Sequence, residues 1–186
     1  MSSNTDICNN ALYMLGSQSI LALTDDTERA RLCNGRYAEI RDMMLRSYPW
    51  NFAIKRATLA RSATTPVWEY DYLYALPTNP YCLKALDVEE CYKWKVEGRY
   101  IATDASTCNL VYIARITDPN EMDILFREAW SARLAADICY ALTGSPQQQQ
   151  TMLATAEQKI RTAKSVDAQE GYPESLTDDT FVDSRY

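Results

Sequence analysis

The first apolar positions of the chain recur with a helical rhythm. Ile7, Ala11 and Leu15 lie four apart, so they share one face of a helix predicted over about 5–17, with Gly16 near its end. SQSILALTDD at 18–27 reads as a loop, and Asp26 or Thr27 supplies the cap of a second helix over about 28–48. Its stripe is Ala30, Cys33, Tyr37, Ile40 and Met44, while Arg29, Arg36, Glu39, Arg41 and Asp42 occupy much of the remaining surface. Pro49 stops this helix near Tyr48.

Beyond Pro49 the rhythm shortens. WNFAIKRATLA opens an aromatic, extended-chain region in which Trp50 and Phe52 read as core anchors. VWEYDYLYALPTNPYCLKALDVEE alternates but carries two prolines, which places extended segments there without fixing their register. Tyr92, Trp94 and Val96 alternate with Lys93 and Lys95, then Tyr100 and Ala102 resume the apolar face, a hairpin turning near Glu97 and Gly98. With residues 81–89 and a strand at 109–116, it is expected to form one small antiparallel meander with a face free to pack on helices. The β-rich insertion spans about 67–116.

The helical period then returns. Asp118, Pro119 and Glu121 offer a cap, a first-turn proline and a capping-box acid, which starts a core helix over about 119–142. Met122, Leu125, Phe126, Ala129, Ala132, Ala136 and Cys139 form its stripe, and the alanines permit close helix approach. Gly144 breaks it, Ser145-Pro146-Gln147-Gln148 repeats the start signal, and a last helix over about 146–164 carries Leu153, Ala156, Ile160 and Ala163. The patterns together predict an α+β fold in one domain, residues 1–164, followed by a different kind of segment.

That segment, residues 165–186, holds six acidic residues and one arginine, net −5, against −6 for all 186 residues. It reads as an acidic C-terminal arm. Tyr172, Pro173, Leu176, Phe181, Val182 and Tyr186 supply apolar anchors between the charges, a composition suited to folding against a partner. The arginines at 29, 36 and 41 read as a solvated or subunit-facing surface, because acidic residues are interspersed with them.

Composition narrows the chemistry. With 47% apolar and 24% charged residues the chain has material for a real core. It contains no His, which removes the usual base of a Ser or Cys nucleophile and the usual nitrogen ligand of zinc, iron or copper. Six Cys without a close CxxC pair read as buried small apolar residues. Adjacent carboxylates (Asp25 and Asp26, Glu89 and Glu90, Asp178 and Asp179) do not point into one site and read as solvated charge. Neither a phosphate loop, a dinucleotide fingerprint nor a calcium loop occurs in the sequence. No cofactor, no metal and no enzymatic activity are therefore expected. The first residues lack a signal-peptide pattern and no apolar run approaches a membrane span, so a soluble chain made in the cytoplasm is expected. Thirteen Tyr and four Trp suit sheets and subunit interfaces.

The order of these elements, with NNALYMLGSQSI at 9–20, RSYPWNFAIKRATLA at 46–60, YDYLYALPTNPYCLKAL at 70–86, DPNEMDILFREAWSARLAADI at 118–138 and the late helix, resembles the tail tubular protein A family of bacteriophage head-to-tail adaptors, also called head completion or connector proteins. PWNFA, the later LP and the DP helix block are its more specific parts. The resemblance implies a mainly antiparallel helical bundle with a small antiparallel sheet inserted between its halves. It also implies a structural role in the virion at the head-tail junction: a dodecameric ring below the portal protein, joined to the tail nozzle or next tail component, extending the channel through which genomic DNA passes. By analogy the arm at 165–186 reaches the portal or a neighbouring copy, with Tyr172, Pro173, Phe181 and Tyr186 as contacts, and Arg29, Arg36 and Arg41 join the candidate ring interface. Competing readings are a virion protein elsewhere in the tail, a small carboxylate-dependent enzyme or ligand-binding protein, and a regulatory DNA binder; the acidic balance disfavours the last.

Overall fold

In the computed structural model, which describes residues 2–89 and 93–170, helix α1 (Asn4–Met14) opens on a reciprocal capping box. The Ser3 hydroxyl accepts from the Asp6 amide and the Asp6 carboxylate accepts from the Ser3 amide. These bonds hold the Asp6 carboxyl below its ordinary range. The chain leaves α1 through Gly16 at φ 69°. Helix α2 (Glu28–Ser47) is capped by Thr27, whose hydroxyl accepts from the Ala30 amide at 3.2 Å. The expected stripe packs inward: Ala30, Cys33, Ile40 and Met44 are buried, and Tyr37 lies against the core.

Helix α3 (Ile124–Thr143) is the element the others cover, meeting α1, α2 and α4 (Pro146–Asp167). At 100° per residue, Phe126, Trp130, Leu134 and Ile138 occupy one side of it and Ala129, Ala132 and Ala136 another. All seven are buried. The alanine side lets α4 approach closely; Gln149 Nε2 reaches the Ala136 carbonyl, and Ala156 and Ala163 of α4 are buried. Trp130 donates to the Tyr37 carbonyl of α2 at 3.1 Å, which satisfies its indole nitrogen in the core.

The start signal at Asp118 is used differently from the expectation. Asp118 accepts from Asn120 and makes one 3-10 turn, Pro119–Glu121, while α3 itself begins after Asp123, whose carboxylate accepts from the Leu125 and Phe126 amides at 2.7 and 3.3 Å. Two acidic caps five residues apart compete for one helix, and the second wins because it leaves Met122 free to turn into the core. At its far end α4 runs to Asp167, three residues past the expected boundary.

The strands do not form one meander. They make two antiparallel three-stranded sheets, β1 (Ile54–Thr58), β6 (Asn109–Ala114), β3 (Cys82–Val88) and β2 (Tyr72–Ala75), β5 (Tyr100–Thr103), β4 (Trp94–Glu97), each in that order. β1 precedes the expected insertion, and pairs Ile54 with Ile113 and Thr58 with Asn109. The β4–β5 hairpin turns at Gly98, φ 59°, as the alternation predicts. Alternation shows which face of a strand is covered but not which strand lies beside it, so the partners of β6 and β5 were not encoded locally. Helix α2 rests against β3 and β6, which joins the sheet region to the helices.

Five described cysteines, Cys8, Cys33, Cys82, Cys108 and Cys139, are buried, consistent with their reading as small apolar residues. The hydrogen bond with Cys33, and then burial, push the Cys8 thiol up where α1 meets α2. Cys91 lies outside the described residues.

Gly144 and Gly35 give opposite expectations. Gly144 closes α3 at φ 65°, so Gly144→Ala should lower stability by about 1 kcal/mol. Gly35 lies inside α2 with open space where a Cβ would stand, so Gly35→Ala should raise it by roughly 0.5–1 kcal/mol. Urea titration of both variants measures the pair.

Candidate functional site

The PWNFA segment forms a corner on which three helices converge. Pro49 ends α2, and Trp50 turns back so that its Nε1 donates to the Met44 carbonyl at 3.0 Å. The Trp50 ring meets Tyr48, Phe52 and Phe126, with centroids 4.9, 6.2 and 5.0 Å away, and Phe52 also meets Phe126 at 5.1 Å. Edge-to-face pairs of this kind add about 0.5–1.5 kcal/mol beyond the area they bury. Trp50 is 1% exposed. Its reading as an anchor therefore holds, and Phe52 packs against the same core.

The end of α4 is tied to this corner. The Asp167 carboxylate accepts from the Asn51 amide at 3.1 and 3.3 Å, and Asn51 Nδ2 donates to the Asp167 carbonyl at 2.6 Å. Tyr48 Oη donates to the Lys164 carbonyl at 3.4 Å, with the Lys164 ammonium over the Tyr48 ring. Asp167 is buried, and burial pushes its carboxyl up even though the Asn51 amide pulls the other way. The root of the C-terminal segment is thus fixed on the body by a paired carboxylate. The candidates Tyr172, Pro173, Phe181 and Tyr186 lie outside the described residues.

The three candidate arginines do not share one surface. Arg29 and Arg36 are two turns apart on one side of α2, whereas Arg41 is rotated from Arg36 by about 140°. Arg36 pairs with Asp137 of α3 and with Glu39, both at 2.6 Å, and Asp137 holds the guanidinium charge firmly. Arg29 reaches Gln18 at 3.4 Å. Arg41 departs from its expected solvated position: it is 7% exposed and gives both Nε and Nη2 to Asp42 Oδ1. Asp42 Oδ2 in turn takes Arg115 Nη2 at 2.7 Å. The helical period put Arg41 outside the apolar stripe, but the sheets cover that side of α2 as well.

Two features had no counterpart in the motif reading. The first is a cluster around Tyr81, whose ring lies 4.1 Å from the Arg99 guanidinium and 4.4 Å from that of Arg115. Its members come from α2, β3 and the approaches to β5 and α3, so only the tertiary fold assembles it. The second is bare apolar surface. Val67 and Trp68 stand 98% and 81% exposed on the loop before β2, where Glu69 holds φ 73°, and Leu21, Tyr13 and Ile124 are also exposed. Glu69 lies in the left-handed region that non-glycine residues seldom occupy, which makes this tip a strained turn carrying a Trp outward.

Among the described residues no cluster of three His, Cys, Asp or Glu side chains gathers with metal-binding geometry, and no helix is long and apolar enough to cross a membrane. Tyr13, Met14, Ile124 and Arg127 line a cleft of about 550 Å³ between α1 and α3. Asp87 and Glu89 line another of about 530 Å³, but the Asp87 carboxylate accepts from the Val88 amide and Glu89 from Asn109. The chain matches no protein-family model and no curated protein.

Asp167→Ala strands the Asn51 amide and should lower stability by about 1–3 kcal/mol. Asp167→Asn isolates the charge. Because the folded carboxyl titrates above its ordinary value, its contribution is fully present below that value and lost as pH rises through the raised one. The stability of the wild type relative to Asp167→Asn should therefore fall as pH rises above the ordinary Asp range, as followed by urea titration at each pH.

Proposed function

We propose that the chain is a structural head-to-tail adaptor of a tailed bacteriophage, a subunit of a dodecameric ring below the portal protein, and not an enzyme. The supporting observation is the aromatic corner: PWNFA, one of the more specific parts of the resemblance, binds the end of α4 through Asn51 and Asp167. It thereby fixes where the acidic arm at 168–186 leaves a body of four helices with two small sheets between α2 and α3. An arm anchored in this way projects from a defined point toward the portal ring or a neighbouring copy, while the opposite surface of the ring receives the tail nozzle or next tail component. In this reading the protein belongs to the virion head-tail junction after synthesis in the host cytoplasm, and needs no cofactor.

The exposed apolar tip fits subunit contact. Large bare aromatic side chains on a surface loop are costly to leave in water and effective once buried by a neighbour. Trp68 is suited to that role, and Arg29 and Arg36 lie together on one flank of α2 for a ring contact, with Arg36 already paired to Asp137 and Glu39. Passage of genomic DNA without sequence-specific binding agrees with a net charge of −6, since strong phosphate contacts would retain the polymer.

Native mass spectrometry of the protein mixed with its phage's portal ring tests the reading. The expected result is a discrete ring of twelve copies added to the portal, lost for a chain ending at Glu170, which retains Asp167. Trp68→Ala should leave monomer stability within about 0.5 kcal/mol yet weaken ring association by about 2 kcal/mol or more per contact. Full-length protein that never joins the portal ring contradicts the placement.

A further inference from the structure

The cluster around Tyr81 opens into a cleft of about 530 Å³ between α2, β3 and the β4–β5 hairpin. Arg46, Lys84, Arg99 and Arg115 line it, on a chain whose net charge is −6. Arg99 donates to the Cys82 and Pro77 carbonyls at 2.9 and 2.8 Å, and Arg46 donates to the Leu83 carbonyl. Those neutral acceptors orient the guanidinium groups without cancelling their charge. Among the described residues, Arg46, Lys84 and Arg99 form no ion pair. The Arg115 Nε is buried without a hydrogen-bond partner. The carboxylate facing this cleft, Asp42, is already shared between Arg41 and Arg115. Beyond Tyr81 and Arg115 a second cleft continues past Lys55, with Glu121 on its wall. The result is a concentration of uncompensated positive charge, with Met43 and Val96 at its edge 48% and 44% exposed.

We infer that this cleft is the docking site for the chain's own acidic segment, with Asp178, Asp179 and Asp183 paired to its cations and Phe181 on its apolar edge. The complementarity is double, because DDTFVD at 178–183 alternates charge and apolar groups as the cleft does. The tether also fits. The bonds of Asp167 to Asn51 place the root of the segment beside the end of α2, and Asn51 is five residues from Arg46, at most roughly 18 Å along the chain. The eight residues from Glu170 to Asp178 span up to about 28 Å, so the segment reaches the cleft with slack. A tether of that length gives an effective concentration on the order of millimolar, which suffices for a weak, salt-sensitive contact. Docking within one chain would store the segment on its own body until a stronger partner takes it. The inference does not depend on the adaptor reading.

Full-length protein labelled with 4-fluorophenylalanine tests this directly, because Phe52, Phe126 and Phe181 give three fluorine resonances. The Phe181 resonance should lie away from the solvent-exposed position, move to it in about 1 M salt, and do so equally in the exposed-surface variant Arg46→Glu/Lys84→Glu and in Asp178→Asn/Asp179→Asn/Asp183→Asn. The second variant alters no described residue, so it cannot act by unfolding the cleft. The displacement should be independent of protein concentration. A Phe181 resonance at the solvent-exposed position in the native chain overturns the inference, as does one that neither variant moves. A displacement that grows with protein concentration assigns the contact to a second copy and overturns docking within the chain. Duplex DNA that binds the native chain and loses affinity in Arg46→Glu/Lys84→Glu, with Phe181 at the solvent-exposed position throughout, makes the cleft a phosphate site instead.

Discussion

The burial of Trp50 against Phe126 holds the molecule together at the point where its parts would otherwise separate. Trp50 follows the end of α2, Phe126 begins α3, and the chain between them makes both sheets. Together with the Trp130–Tyr37 hydrogen bond and the Arg36–Asp137 pair, this contact closes a long loop of sheet-forming chain, and the closure entropy offset grows only slowly with loop length. The Trp50 indole nitrogen finds the Met44 carbonyl, so the contact carries no unpaired buried donor. Once the corner is set, Asn51 presents its amide to Asp167, and α4 is registered against both α3 and α2.

This arrangement explains why an acidic residue is buried at the end of a surface helix. Asp167 is disfavoured as a charge by burial, yet its oxygens satisfy a backbone donor that Pro49 and the 3-10 turn leave outside any helix or sheet ladder. Apolar packing sets the location and the hydrogen bonds set the register. The body also gathers Arg46, Lys84, Arg99 and Arg115 in one cleft, whereas the sequence beyond Glu170 carries four acidic residues and a single arginine.

Much of the helical framework was legible in the sequence because helical period, caps and breakers are local. Thr27, Pro49, Gly144 and the Ser145-Pro146 start behave as their local chemistry requires. The start of α3 was not legible, since Asp118 and Asp123 offer equivalent caps and only packing of Met122 chooses between them. The sheet arrangement was also hidden: β6 pairs with β1 and β3, both far away in sequence, and two-residue alternation carries no partner information. Arg41 and the Tyr81 cluster failed for the same reason. A helical wheel shows one covered face, whereas α2 is covered by α3 on one side and by the sheets on another, and no spacing rule joins Arg46, Tyr81, Arg99 and Arg115 before the fold does.

The central claim is that the aromatic corner and the end of α4 form one cooperative unit with the α3 core. Native-state hydrogen exchange of the Asn51 amide, which opens a 3-10 turn and donates to Asp167, addresses it most directly. The account predicts that this amide exchanges with the same free energy as amides in the middle of α3, opening only when the whole domain unfolds. Exchange through a local opening several kcal/mol below that of α3 would contradict it, because the corner would then be a surface turn resting on the core and not the joint that closes it.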